Sequence, residues 1–188
     1  MSPADHTDPT PAAQATPWLT PTEGAAWWPL SGLISKLPAA LEQQLQRDAG
    51  ISHFEYIVLS QLSTAPGRTL RMSDLAELAN GSLSRLSHAI KRLEHRGWVH
   101  REPCPENGRY INAILSDDGH AKVTATAPGH VRAVRELVID ALSPAQLHQL
   151  RDIGELIMQR IEPDAAWPPT AHDSQDTTDP GSSRPAEP

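Results

Sequence analysis

The sequence predicts a mainly α-helical fold with a small β-hairpin wing: a winged helix-turn-helix flanked by N- and C-terminal dimerisation helices. Three observations carry this expectation. Between Ser73 and Leu115 the chain reads, in order, as a short helix, a turn at Asn80-Gly81, a second helix and two strands joined by a turn-rich tip. The second helix places Leu86, Ile90 and Leu93 at i, i+4 and i+7, with polar residues around the rest of its surface. On either side of the motif lie longer helical stretches opened by capping boxes, Thr20-Pro21-Thr22-Glu23 and Ser143-Pro144-Ala145-Gln146.

Charge and proline set the limits of the domain. The net charge of the 188 residues is -7, but residues 1–18 and 163–188 contribute -2 and -4 of it. Those 44 residues also hold 10 of the 18 prolines. Acidic segments rich in Pro, Ser and Thr cannot bury enough apolar surface to offset chain entropy. Residues 1–18 and 163–188 are therefore expected to be disordered tails around a folded domain at 19–162. Within that domain, Arg68 to Arg109 holds eight Lys and Arg against five acids, with His88, His95 and His100 in the same stretch. A basic segment in a near-neutral body bears on a phosphate partner more than the whole-chain balance does.

The elements follow from local signals. The first helix starts at the Thr20 capping box and runs to about residue 49, with Pro29 and Pro38 expected to kink or break it. Ser52 caps the next helix, through Phe54, Tyr56, Val58, Leu59 and Leu62, ending before Pro66-Gly67. Leu70 to Met72 is a short extended piece, and Ser73 caps a helix over Asp74 to Ala79. The second helix of the motif runs from Leu83, which extends its apolar face, to Arg96, with Gly97 placed as a C-terminal glycine. Trp98 to Glu102 and Arg109 to Leu115 form the hairpin, and the winged unit spans about 52–115. Ser116-Asp117-Asp118-Gly119 opens another helix, with Pro128-Gly129 expected to interrupt it. The dimerisation helices are thus placed at about 20–49 and 117–161.

Several chemistries are disfavoured. No nucleophile elbow, P-loop or dinucleotide fingerprint occurs, and no acid-base pair can be assembled, so no enzyme and no cofactor are expected. One cysteine, Cys104, excludes an internal disulfide and a zinc site built on several thiolates. The nine histidines show no ligand spacing, so no metal is expected. No apolar run approaches the roughly 20 residues needed to cross a bilayer. Met1–Pro17 lacks the charge and apolar core of a signal peptide, and the cytoplasm is the expected location.

The polar face of the second helix carries Ser82, Ser84, Arg85, Ser87, His88, Lys91 and Arg92. Short hydroxyls permit close approach to phosphates and base edges, and Arg85 can reach guanine O6 and N7. Such a face is either a solvated surface or a DNA-reading one, and the basic segment with its hairpin favours DNA. A helical protein-interaction module that does not bind DNA specifically is the alternative. Trp27 and Trp28 serve either as dimer core or as the aromatic wall of an effector pocket that His53 and Tyr56 could also face. Cys104, between Pro103 and Pro105, reads as a passive thiol rather than a redox sensor.

From Leu19 to about Glu162 the chain resembles the MarR family of bacterial transcriptional regulators. The resemblance rests on Leu75-Ala76-Glu77-Leu78, Ser84-Arg85-Leu86-Ser87-His88, Arg92-Leu93-Glu94, Gly97-Trp98-Val99, Arg101 and Leu115-Ser116-Asp117-Asp118-Gly119. It implies a homodimer with interlocked terminal helices that binds double-stranded DNA at an imperfect inverted repeat. The second helix would enter a major groove and the wing an adjoining minor groove. It further implies a repressor released by a small effector, for which an aromatic or phenolic molecule suits Trp27, Trp28, His53 and Tyr56. The wing departs from the family's Asp-Arg-Arg signature, reading Glu106-Asn107-Gly108-Arg109, so the minor-groove role falls to Arg109 alone.

Overall fold

The computed structural model describes residues 18–105 and 107–163. Among them the order is α1 (Pro21–Ala49), α2 (His53–Thr64), β1 (Thr69–Arg71), α3 (Met72–Leu78), α4 (Leu83–His95), β2 (Val99–Pro103), β3 (Ile111–Leu115), α5 (Asp117–Leu137) and α6 (Pro144–Ile161). The expected tails fall almost wholly outside the described residues, and so does Glu106. The chain divides after Lys36 into two units, and α1 contributes to both.

In the first unit α1 begins as a capping box. Glu23 Oε2 accepts from the Thr20 backbone N–H at 2.7 Å, and Thr20 Oγ1 accepts from the Glu23 N–H at 3.3 Å. Trp18, Leu19, Trp27, Trp28, Leu33 and Ile34 are all exposed in the isolated chain.

In the second unit one core joins the end of α1 to the winged lobe. Leu45, Ile51, Val58, Leu59, Leu62, Leu75, Leu86, Ile90 and Leu93 are fully enclosed, with Val99, Ala113, Leu115 and Val123 packed among them. The helical period of Leu86, Ile90 and Leu93 thus does what it predicts: it holds α4 against α2 and α3. The strands form one antiparallel sheet in the order β1-β3-β2. β2 pairs Val99 with Leu115 and Pro103 with Ile111, while β1 pairs Thr69 with Ile114 and Arg71 with Asn112. Gly97 closes α4 with φ +73°, a conformation that a Cβ would strain.

Four expectations for the winged lobe are corrected. The hairpin has a third strand, because Thr69–Arg71 pairs with β3 instead of standing alone. Its strands are also shifted, to Val99–Pro103 and Ile111–Leu115. α3 starts at Met72 after Arg71 with no side-chain cap, and Ser73 Oγ donates to Asp74 instead. Leu83 does not extend the buried face of α4 but is exposed. It is the first residue of α4, next to the Ser82 cap.

Prolines do not break the long helices. α1 runs through Pro29 and Pro38, and α5 runs through Pro128-Gly129. A proline in a helix interior costs roughly 3 kcal/mol, through a lost backbone hydrogen bond and a steric clash. In α5 that is offset by packing on both sides of Pro128, with Val123 and Thr126 buried before it and Ala133 after it. In α1 the flanking Ala25, Ala26, Leu30, Ala39, Ala40 and Leu41 are strong helix formers.

Candidate nucleic-acid interface

α4 is anchored at its start by its own sequence. Ser82 has extended backbone and its hydroxyl accepts from the Arg85 N–H at 3.2 Å, a serine N-cap. With Leu86, Ala89, Ile90 and Leu93 turned into the core, the opposite face is fixed in orientation. Ser82, Ser84, Arg85, Ser87, His88, Lys91 and Arg92 are all exposed on it. Leu83 joins them, an apolar side chain of the kind that packs on a thymine methyl. Its exposure was not legible from a period it happens to satisfy.

The cations of this lobe fall into two groups. Some are held by acids. Arg101 makes two hydrogen bonds to Glu94, at 2.9 and 2.7 Å, and Arg68 pairs with Asp117 at 2.8 Å. Arg92 Nε donates to the buried Glu55 at 2.7 Å. Burial alone would raise the Glu55 carboxyl, but hydrogen bonds from the Ser52 N–H and Arg92, with the charge of Arg92, bring it below its ordinary value. Glu55 also completes the α2 capping box, so Arg92 ties α4 to the start of α2. Arg96 donates to the Gly50 carbonyl at 3.0 Å.

The other group points outward. Among the described residues the side chains of Arg85, Lys91 and Arg109 have no acidic partner, and Arg85 lies over the Phe54 ring. The Arg109 backbone N–H donates to Asn107 Oδ1 at 3.1 Å, shaping the wing tip. Arg71 stacks on Tyr110, 5.1 Å from its centroid, where β1 meets the base of the wing. The surplus counted along the sequence is thus partly spent inside the lobe, and what remains outward is concentrated on α4 and the wing.

Of the expected effector residues, His53 and Tyr56 are brought together, with His130 of α5. The His130 ring lies 4.5 Å from Tyr56 and 5.9 Å from His53, centroid to centroid, and its Nδ1 is 3.4 Å from Gln44 Oε1. Burial lowers both imidazoles; Glu42 opposes this at His53 while Arg85 adds to it, and His53 adds to it at His130. His130 was not singled out in the sequence, since nothing in the pattern of α5 distinguishes it. Trp27 and Trp28 stand exposed in the first unit. Two concavities of about 150 and 480 Å³ lie between residues 40–49 of α1 and α5, and neither is lined by the four expected residues. Cys104 is buried. Among the described residues no cluster of His, Cys, Asp or Glu is arranged to hold a metal ion, and no helix is long and apolar enough to cross a membrane.

A capped second helix with an exposed polar face, followed by a basic-tipped wing, defines a winged helix-turn-helix regulator that binds DNA. Residues 51–111 match the MarR family. The chain is similar to Sco3205, a MarR family transcriptional regulator from Streptomyces coelicolor solved in complex with DNA. The two are 44% identical over 78% of this chain and 96% of that one, with a TM-score of 0.75. AbsC, a MarR family regulator from the same organism, is 38% identical over 78% of this chain and 98% of its own, with a TM-score of 0.74. The transcriptional repressor MprA of Escherichia coli K12 is 23% identical over 113 residues, 60% of this chain and 64% of MprA. The chain belongs to the MarR family of transcriptional regulators.

Proposed function

We propose that the chain is a homodimeric, cytoplasmic repressor that reads an imperfect inverted repeat in double-stranded DNA and acts by binding, not catalysis. The observation that carries this is the outward face of α4, held by the Ser82 cap and the Leu86-Ile90-Leu93 core, with Arg85 and Lys91 unopposed by acids. Ser84, Arg85, Ser87 and His88 would meet base edges, and Lys91 and Ser82 phosphates. Arg92 reaches the DNA only in part, because Glu55 holds it. Arg109 would enter or overlie the minor groove. The similarity to a DNA-bound regulator at 44% identity supports the same reading.

Dimerisation is supported by α6, which carries Leu150, Ile153, Leu156, Ile157 and Ile161 and buries none of them in the single chain. Release by a small aromatic or phenolic effector is supported by the half-buried rings of His53 and His130, which adjoin the buried Tyr56 of α2.

The test is selection of duplexes from a random pool, followed by binding to the selected and a random duplex. The expected outcome is a selected sequence with two-fold symmetry, bound about 10³-fold or more tighter than random DNA at physiological salt. Equal binding to all duplexes would contradict specific readout.

A further inference from the structure

We propose that Phe54 is a positioning residue for DNA readout: its ring, seated by its edge against Gly81, holds the guanidinium of Arg85 over its face at the first turn of α4. The proposal rests on the DNA-reading role of α4 and extends it to a residue of a different helix.

Three residues meet in this geometry. Arg85 Cζ lies 4.1 Å from the centroid of the Phe54 ring, the distance of a close cation–π contact. Phe54 is only 6% exposed and belongs to the core, so the ring is a fixed platform and not a mobile surface group. At the ring's edge, a Cβ on Gly81 would stand 2.7 Å from ring atoms Cε2 and Cζ and 3.9 Å from Arg85 Cδ, so only glycine at the turn lets the ring lie where it does. Arg85 is otherwise exposed, and its backbone N–H is already engaged by the Ser82 hydroxyl at 3.2 Å. Among the described residues its side-chain N–H groups donate to no acceptor, which leaves the guanidinium edge available for a base.

This arrangement addresses the main cost of an arginine contact. A free arginine has many rotamers, and ordering it on binding weakens the contact; a side chain held in place beforehand loses less. Stacking uses the face of the guanidinium and spares the edge that would meet guanine O6 and N7. The contact also acts on sequence discrimination alone, because Phe54 itself is buried and offers nothing to a phosphate.

The chain has one phenylalanine, so biosynthetic replacement of phenylalanine by 3,4,5-trifluorophenylalanine alters position 54 alone. Fluorination removes the negative potential of the ring's face and enlarges the ring slightly at Cε1, Cζ and Cε2, a steric change that the Arg85→Ala background controls for. The experiment compares the wild type, the fluorinated chain, Phe54→Leu, Arg85→Ala and each Phe54 change combined with Arg85→Ala. Each is bound to a duplex selected by the wild type and to a random duplex, across a salt series. Both Phe54 changes should lower the selected-to-random affinity ratio by about two- to fivefold, the size of an exposed cation–π contact. Affinity for random DNA and the salt slope should stay as in the wild type. In the Arg85→Ala background neither change should lower the ratio further. An unchanged ratio in the fluorinated chain overturns the proposal even if Phe54→Leu fails to fold. So does an equal loss with and without Arg85, which would mark Phe54 as core alone. A wild type that selects no sequence overturns the DNA-reading role itself, a result distinct from either.

Discussion

The winged lobe and the C-terminal helix use apolar residues in opposite ways. Between Ile51 and Leu115 nearly every large apolar side chain on a periodic face is enclosed within one chain. α6 also carries Leu147, Leu150, Ile153, Ile157 and Ile161 at helical spacing and is well capped, by the Ser143–Gln146 box, yet buries none of them. A lobe that closes its own core folds as a unit and can present a rigid polar face. A helix that closes nothing by itself is stable in water only against something else. The contrast underlies the division of duties proposed above, one region to contact DNA and one to join chains.

The most severe way to break this comparison is to remove α6. A chain ending before Leu147 should lose the dimer, whereas one ending at Glu162 should keep it; light scattering at low micromolar concentration reads both. A monomeric full-length chain would remove the reason for the α6 face.

A matched pair of substitutions sharpens it. Ile90→Ala in the lobe should cost about 2–5 kcal/mol in urea unfolding, whatever the protein concentration, because the cavity lies within one chain. Ile153→Ala on α6 should show a cost that varies with protein concentration, because its loss is felt through association. Equal, concentration-independent costs would mean that α6 packs within the chain.

Arg92 and Arg85 provide a finer version on one helix. Arg92→Ala strips a charge-assisted hydrogen bond from a buried carboxylate and should lower stability by about 1–3 kcal/mol. Arg85→Ala should cost stability no more than about 1 kcal/mol, the size of its exposed cation–π contact with Phe54. On the selected duplex Arg85→Ala should cost about 1–3 kcal/mol, with little loss on random DNA. Arg109→Ala should weaken binding to both duplexes and reduce the salt slope by about one.

The smallest effect is on pH. His53 and His130 are held below the ordinary imidazole value of 6.5, so the unfolded chain takes up more protons as the pH falls through that value. Stability should therefore decline from pH 6.5 downward until the folded imidazoles titrate. Glu55, held below 4.5, adds a contribution that is present above that pH and lost as the pH falls through its folded value. In urea titrations across pH, a chain carrying His53→Gln and His130→Gln should be flatter between 6.5 and 5, and an unflattened curve would exclude these two groups.

What could be read from the sequence follows the range of the physics. The capping boxes at Thr20 and Ser143, the Ser52 cap, the Leu86-Ile90-Leu93 face and the Gly97 terminus are local patterns, and all are present in the structure. The polar face of α4 was legible for the same reason, being the complement of a periodic core. The pairing of β1 with β3 and the Glu55–Arg92 bond join residues far apart in the chain, which no period can reveal. Pro128 misled because local cost is only one term, and the packing on both sides of it outweighs that cost. Charge misled in part: Arg68, Arg92 and Arg101 count toward a basic segment until their acidic partners are seen in space. Phe54 read as core, which it is, and only the fold shows Arg85 lying on it.

The central claim is that two copies of α4 face adjacent major grooves of one duplex. Hydroxyl-radical footprinting on the selected duplex tests it most directly. The account predicts two protected regions related by two-fold symmetry, with half-site centres about one helical turn, or roughly 10–10.5 bp, apart or a multiple of that. A single protected region, or protection without symmetry, would contradict it.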